Sequence, residues 1–143
     1  MPVSESRRSK KARLRRKFFE IIAPLLRSEM VRRLDQHHQH FKYPRLPHSM
    51  DVAFLSYVLA RRLGLDCHSV ARAGLLHDLF FHAEGEHSAS LLFSHPRIAL
   101  ENARQVCSLS PLEEDIIAKH MFLLTPTIPR YRESFLVTFV DKY

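Results

Sequence analysis

An adjacent histidine–aspartate pair, His77 and Asp78, interrupts an otherwise apolar stretch at residues 73–82. On a helix, Ala73, Gly74 and His77 share one face, so the His77 side chain points the same way as residues that should pack inward. Burying an imidazole and a carboxylate costs free energy unless a charged or hydrogen-bonding group meets them. A divalent cation would satisfy both groups, because it accepts imidazole nitrogen and carboxylate oxygen together. For an isolated pair, a hydrogen bond without metal is the alternative.

Residue types that bind metals recur along the rest of the chain. His48 precedes the pair, His95 and His120 follow it, and Asp141 lies near the end of the sequence. Each of these residues falls on or at the edge of a predicted helix. This recurrence favours a metal site over an isolated buried pair.

The apolar periodicity predicts an all-α protein. Only 3 glycines occur in 143 residues, and 45% of the residues are hydrophobic, spaced mainly at helical intervals. The length fits one domain with a sizeable core. We expect a bundle of about six helices over residues 18–143, preceded by a basic, flexible arm at residues 1–17.

Local signals set the bounds of the first helices. Residues 18–34 have helical periodicity, and Pro24 should kink or divide this helix. The next helix runs from about His48 to Leu63 and ends at Gly64. His48 is expected on a buried stripe with four aliphatic residues: Val52, Leu55, Leu59 and Leu63.

The later helices also begin at recognisable residues. Three of them have N-terminal signals: Asp66 as an N-cap, Ser94 with Pro96, and Ser110 with Pro111 and Glu113 as a capping box. The second of these places His95 at a helix start, and the last helix should begin near Tyr131. Loops are predicted at residues 41–47, 81–93 and 124–130.

The net charge of +7 is concentrated at the N-terminus. Residues 1–17 hold eight basic residues and one acidic residue, so residues 18–143 carry 14 of each sign and are neutral overall. Such an arm can contact nucleic acid or an anionic surface weakly through counterion release. A solvated arm without a partner is the alternative. No aromatic residue lies among these charges before Phe18, so base stacking is not expected.

The sequence predicts a cytoplasmic protein. No apolar run is long enough to span a bilayer, and the N-terminus lacks the hydrophobic region of a signal peptide. Cys67 and Cys107 lie far apart without the paired spacing of a zinc site, so we expect packing residues with reduced thiols. The oligomeric state is not defined by these features.

Six segments form an ordered pattern: Gln39-His40 and residues 48–53, 74–78, 95–103, 114–121 and 140–143. This pattern resembles the HD-domain superfamily of metal-dependent phosphohydrolases, in particular its small single-domain bacterial members. The resemblance extends from about Gln39 to Tyr143, roughly three quarters of the chain.

The resemblance implies a set of metal ligands. One divalent ion would be held by four residues: His48, His77, Asp78 and Asp141. A second would be held by His95 and His120, with Asp78 bridging the two ions. Mixed imidazole and carboxylate ligation suits iron, manganese, cobalt, nickel or zinc better than calcium. Binuclear relatives often have two adjacent histidines near the second position, whereas this chain has Lys119-His120.

The resemblance also implies an activity, the hydrolysis of a phosphomonoester or phosphodiester. The substrate would be a nucleotide or a related small molecule, and a metal-bound hydroxide would be the nucleophile. His77 and Asp78 would be the catalytic residues. Five residues are candidates for binding the substrate: His40, Arg45, Lys119, Arg130 and Lys142. Some relatives have Gly-Lys soon after the doublet, where Leu79-Phe80-Phe81 follows here, so no group is assigned to protonate the leaving group.

Two other classes of function remain open from the sequence. One is a non-catalytic HD module that binds a nucleotide, a nucleic acid or a protein partner, with the metal serving structure alone. The other is a nucleic-acid-associated protein whose basic arm delivers the domain to RNA or DNA.

Overall fold

The computed structural model of the protein describes residues 6–36, 45–81 and 89–143, with only the backbone described for residues 36 and 89–92. Within these ranges the chain forms seven α-helices, one 3-10 helix at Arg33–Gln36 and no strand. The helices are α1 (Arg7–Leu26), α2 (Glu29–Arg32), α3 (Arg45–Leu63), α4 (Cys67–Leu76), α5 (Ala89–Val106), α6 (Pro111–Lys119) and α7 (Arg132–Lys142). The predicted all-α bundle is confirmed. Among the described residues, none of the helices has the length and apolar character needed to cross a membrane.

The first helix is longer than the sequence predicted. The hydroxyl of Ser6 caps it by accepting a hydrogen bond from the Ser9 N–H (3.2 Å), and the helix continues through Pro24 to Leu26. A proline in a helix removes one backbone donor but leaves the backbone dihedral helical. The predicted division of residues 18–34 therefore occurs two residues after the proline, where α2 forms a separate short helix.

The predicted arm and the body meet inside this helix. Residues 7–17 belong to α1, so the helix runs without a break across the predicted boundary. Burial changes at the same position, because the side chains of residues 6–17 are exposed apart from the half-buried Leu14, whereas Phe18 is buried. The division into an arm and a domain stays a prediction.

Helix α4 is the centre of the bundle. It packs against α1, α3, α5, α6 and α7, and from Ser69 to Leu79 every side chain except Arg72 and Asp78 is buried. The predicted N-cap is confirmed, since Asp66 Oδ1 accepts a hydrogen bond from the Ser69 N–H (3.0 Å). A helix with so few exposed side chains belongs in the core of a bundle, and its last turn therefore ends at the centre of the molecule.

The buried face of α3 differs from the predicted aliphatic stripe. His48, Leu55 and Leu63 are all exposed, so the prediction that they share a buried stripe is wrong. The buried positions are mostly small residues: Ser49, Val52, Ala53, Ser56, Tyr57 and Ala60. Small side chains allow α3 and α4 to approach closely, and a Cβ built on Gly74 would lie 2.9 Å from the Ala53 Cα.

Two helices begin earlier than predicted. Pro47 indicated a loop before α3, and Pro96 indicated the first turn of α5, but both prolines lie inside helices that begin before them. Helix α3 begins at Arg45 and contains Pro47 in its first turn, where the missing N–H needs no partner. Helix α5 begins at Ala89 and contains Pro96, so Ser94 is not its N-cap. Residues 45–47 and 89–93 of the predicted loops are thus helical, and residues 41–44 and 82–88 lie outside the described residues.

The predicted starts of the last two helices are confirmed. Ser110 Oγ accepts a hydrogen bond from the Glu113 N–H (3.1 Å), and Glu113 Oε1 accepts one from the Ser110 N–H (3.0 Å). Helix α7 begins at Arg132, directly after Tyr131. The start of α6 depends on contacts within four residues, which explains why the sequence predicts it well.

The close contact between α3 and α4 makes Gly74 sensitive to substitution. An alanine Cβ would lie 2.9 Å from the Ala53 Cα and 3.2 Å from its Cβ, so the two helices would have to separate. Such overpacking costs about 1–3 kcal/mol, of which the better helix propensity of alanine offsets about 1 kcal/mol. We expect Gly74→Ala to lower the Tm by several degrees in thermal unfolding followed by circular dichroism. An unchanged Tm would contradict this packing.

Candidate metal centre

Six side chains meet at one end of the bundle and form what we call the His–Asp cluster: His48, His77, Asp78, His95, His120 and Asp141. The first turn of α3 and the middle of α5 each supply one histidine. The other four residues come from the C-terminal ends of three helices, α4, α6 and α7. Since the negative end of a helix dipole favours a nearby cation, this arrangement favours a cation at the cluster.

One part of the cluster is built around Asp141. Its Oδ1 lies 3.0 Å from His48 Nε2 and 3.2 Å from His77 Nε2. His77 Nε2 is also 3.3 Å from Asp78 Oδ2. Ligand atoms of these four residues all lie within 4.8 Å of one another. Atoms bound to one metal ion at about 2.1 Å lie roughly 3.0–3.4 Å apart, so these distances fit one shared ion.

The other part of the cluster uses the second oxygen of Asp78. Asp78 Oδ1 lies 3.4 Å from His95 Nε2 and 3.3 Å from His120 Nε2. The two histidine nitrogens are 2.9 Å apart. Asp78 therefore presents one oxygen to each part, which is the geometry of a carboxylate able to bridge two ions.

Backbone contacts orient two of the histidine rings. His77 Nδ1 donates a hydrogen bond to the Gly74 carbonyl (2.6 Å), and His120 Nδ1 donates one to the Ile117 carbonyl (2.8 Å). In a neutral ring the other nitrogen, Nε2, then carries a lone pair. Both lone pairs face the Asp78 carboxylate, which is also a hydrogen-bond acceptor. The contact is therefore unfavourable unless a proton or a metal ion lies between the nitrogen and the oxygen. Such ring orientation by a carbonyl is typical of histidines that bind metals.

The pKa shifts within the His–Asp cluster show that the cluster stabilises positive charge. Burial disfavours the His77 imidazolium, yet the Asp78 and Asp141 carboxylates outweigh burial and raise the pKa of His77 well above its ordinary value. Burial also opposes ionisation of Asp78, but the adjacent His77 charge, with His120 and His95 close by, holds its pKa well below the usual range. The pKa of Asp141 is likewise lowered, because hydrogen bonds from His48 and His77 outweigh burial.

Not every histidine of the cluster accepts a proton readily. Burial lowers the pKa of His120, and the nearby Asp78 only partly compensates. A neutral imidazole is the form that binds a metal ion. The donor set of imidazole nitrogens and carboxylate oxygens therefore fits a divalent transition metal.

Arg45 supports the His95 side of the cluster. Its guanidinium is 5% exposed, lies 3.8 Å from the centre of the Phe80 ring, and donates a hydrogen bond to the Phe80 carbonyl. The Phe80 ring in turn lies 4.7 Å from the His95 ring, centre to centre. Burial lowers the pKa of Arg45, and the Asp78 charge partly offsets this effect. Phe80 was not predicted to take part in the site, because it has no counterpart in the motif.

The other residues predicted to bind substrate lie in different places. Lys142 is at the cluster, with Nζ 3.4 Å from Asp141 Oδ2 and 3.4 Å from Met121 Sδ. Lys119 instead forms an ion pair with Asp115 (3.2 Å). The Arg130 side chain is exposed. His40 lies outside the described residues.

Asp115 is a buried carboxylate that was not predicted to support the site. Its Oδ2 accepts hydrogen bonds from the Arg130 N–H (2.9 Å) and the Ser134 hydroxyl (2.6 Å). These contacts fasten the start of α7 to α6, and α7 carries Asp141 at its other end. Asp115 therefore helps to position a residue of the His–Asp cluster. The only local sequence signal for this role of Asp115 is its position one helical turn before Lys119.

Comparison with known proteins identifies one family. The family model described as HD domain matches residues 45–143. The match covers more than half of the chain and contains all six residues of the His–Asp cluster. No solved structure gives a significant match to the chain.

The contacts of Asp115 predict a pH-dependent contribution to stability. Burial opposes its ionisation, but hydrogen bonds from Ser134 and the Arg130 N–H, together with Lys119, hold its pKa below the ordinary value. The stabilisation is therefore complete above the pKa of an unfolded aspartate, about 4. It is lost as the pH falls through the lower pKa of the folded state.

We expect Asp115→Asn to reduce the free energy of unfolding by about 1–3 kcal/mol at pH 7, because a neutral amide weakens the three contacts. Denaturant unfolding at several pH values should show this deficit shrinking below about pH 4. The exposed Asp51 provides a control, since Asp51→Asn should change stability little. A deficit that is the same at pH 7 and pH 3 would contradict the assignment.

Proposed function

Because the chain belongs to the HD-domain family, a superfamily of metal-dependent phosphohydrolases, we propose that it hydrolyses a phosphomonoester or phosphodiester. The proposed substrate is a nucleotide or a related small molecule. The observation that carries the proposal is the position of Asp78, which offers one oxygen to each of two groups of ligands.

The proposed cofactor is a pair of divalent transition-metal ions: iron, manganese, cobalt, nickel or zinc. Four residues would hold the first ion: His48, His77, Asp78 and Asp141. His95, His120 and the shared Asp78 would hold the second. When bound, the two ions would supply Lewis acidity at the phosphoryl group and a water molecule of lowered pKa. The close fit between the observed distances and those expected for shared ligands supports this proposal.

The chain's own residues would fix the geometry of the centre. The carbonyls of Gly74 and Ile117 hold the rings of His77 and His120, so their Nε2 atoms stay aimed at Asp78. Such pre-organisation reduces the cost of assembling the reacting groups. Because Asp78 belongs to both groups of ligands, its substitution would disturb both, whereas substitution of His77 would remove a ligand from the first.

Two cations are proposed to bind the substrate phosphate. Arg45 lies on the His95 side of the cluster and Lys142 lies beside Asp141. A guanidinium can bind two phosphate oxygens at once, whereas an ammonium acts as a point charge. His40, Lys119 and Arg130 stay predicted substrate-binding residues, and the contact between Lys119 and Asp115 favours a supporting role for Lys119.

The test is hydrolysis of p-nitrophenyl phosphate, bis-p-nitrophenyl phosphate and a panel of nucleotides, with manganese or ferrous iron supplied. We expect Asp78→Asn and His77→Gln to lower kcat by at least about 1,000-fold, because each removes a ligand of the proposed centre. His68→Gln is the matched control, since His68 is an exposed histidine in the first turn of α4. It should retain the wild-type rate.

Two results would contradict the proposal. Unchanged hydrolysis in the Asp78 and His77 variants would mean that the cluster does not catalyse the reaction. A metal-loaded wild-type protein that hydrolyses none of these substrates, yet binds nucleotides, would instead favour a non-catalytic HD module.

A further inference from the structure

The first half of α1 is a highly cationic helix. Between Arg7 and Lys17 there are eight basic side chains and no acidic one: Arg7, Arg8, Lys10, Lys11, Arg13, Arg15, Arg16 and Lys17. All eight are exposed. At 1.5 Å per residue this half spans roughly 16 Å, and we call it the basic half of α1. The metal centre uses none of these residues.

The distribution of these charges distinguishes between possible partners. At about 3.6 residues per turn, the eight cations point in all directions around the helix, and only Ala12, Leu14 and Ser9 separate them. A helix that lies on a membrane needs a continuous apolar face to enter the lipid, and the basic half of α1 has none. It also lacks the aromatic platforms on which single strands stack their bases.

A DNA duplex fits these properties better. It carries phosphate charges on both sides of a groove, and a major groove about 12 Å wide admits an α-helix. Cations on opposite sides of the helix could then meet phosphates of both strands. Binding of this kind depends on charge and releases counterions, without reading the base sequence.

The contacts of α1 show where the basic half points. The Arg15 guanidinium lies 4.9 Å from the centre of the Phe54 ring, and the Phe18 ring lies 5.7 Å from the Tyr57 ring. The Phe18 ring also lies 5.2 Å from the Phe54 ring, and Ile21 and Leu25 line one cavity with Tyr57 and Arg61. Positions further along α1 thus lie beside positions further along α3, so the two helices run in the same direction here. The start of α1 therefore lies towards the start of α3, which carries His48.

The cationic surface continues past Lys17 onto the body of the protein. A cavity of about 580 Å³ between α1, α3 and α4 is lined by Lys17, Arg61 and His68, with Glu20 as an acidic neighbour. Arg62, next to Arg61, is also exposed. Positive charge therefore extends from the basic half of α1 onto the last turn of α3, as a backbone-tracking surface requires.

We propose that the basic half of α1, together with Arg61 and Arg62, is a docking surface for duplex DNA. The surface binds the phosphate backbone without sequence preference and runs along α1, from the end of the bundle that carries the His–Asp cluster towards the last turn of α3. This binding does not depend on hydrolysis, so it stands or falls separately from the proposed phosphohydrolase activity.

The test is fluorescence anisotropy of the full chain with a 20-base-pair DNA duplex, an RNA duplex of the same length and the corresponding single strands, at several salt concentrations. We expect the DNA duplex to bind more tightly than the single strands, and more tightly than the RNA duplex, whose major groove is deep and narrow, with affinity falling steeply as salt rises. The variant Arg7→Gln/Arg8→Gln/Lys10→Gln/Lys11→Gln should bind the duplexes at least about tenfold more weakly. Its salt dependence should be shallower by about 0.9 for each phosphate that the variant no longer neutralises.

A matched control removes the same charge elsewhere. Arg27, Arg32, Arg97 and Arg132 are exposed and lie outside the basic half of α1, so their replacement by glutamine should leave duplex binding within about twofold. Circular dichroism of both variants should match that of the wild-type protein. Asp78→Asn should retain duplex binding, which separates this proposal from the hydrolytic one.

Three outcomes would overturn the proposal. Equal weakening in the two four-residue variants would mean that net charge alone, and not this surface, attracts the duplex. Binding to phosphatidylserine vesicles but to no duplex would assign the basic half of α1 to a membrane surface. No duplex binding at 50 mM salt would leave a solvated helix without a nucleic-acid partner.

Discussion

A largely buried carboxylate, Asp78, faces three imidazole rings at the centre of the bundle. The surrounding structure depends on how the negative charge of this carboxylate is compensated. Its two oxygens contact separate nitrogens at 3.3–3.4 Å, and two of the facing rings are fixed in the form that aims a lone pair at it. Charged groups persist in such surroundings only when an opposite charge compensates them. A cation at this position would compensate the charge of the buried carboxylate and would also accept the lone pairs of the two oriented rings.

The helices are arranged so that their ends converge on this charge. Helix α4 is buried along most of its length and ends just before His77, while the contact between Gly74 and Ala53 brings α3 close to α4. His48 of α3 lies against Asp141. Asp115 fastens the far end of α7. The same bonds therefore stabilise the bundle and position the donors, which explains why a small domain can hold six such residues together.

Much of the fold and of the candidate centre could be predicted from the sequence, because both depend on strong local patterns. The caps at Asp66 and Ser110 act within four residues, and the order of His and Asp residues identifies the family. The buried face of α3 could not be predicted, since small residues are buried there only because a glycine faces them. The start of α5 was predicted wrongly, because a proline inside a helix, such as Pro96, looks the same in sequence as a proline in the first turn. Contacts such as those between Arg45 and Phe80 join residues 35 positions apart and leave no local pattern.

The most direct test of a shared two-metal centre is the metal content of protein purified without a histidine tag or chelator and then reconstituted with manganese or iron. Elemental analysis should find about two transition-metal ions per chain in the wild-type protein. His120→Ala should retain about one, because the group formed by His48, His77, Asp78 and Asp141 stays intact. A wild-type protein that binds no metal after reconstitution, or a His120 variant that still binds two ions, would contradict the account.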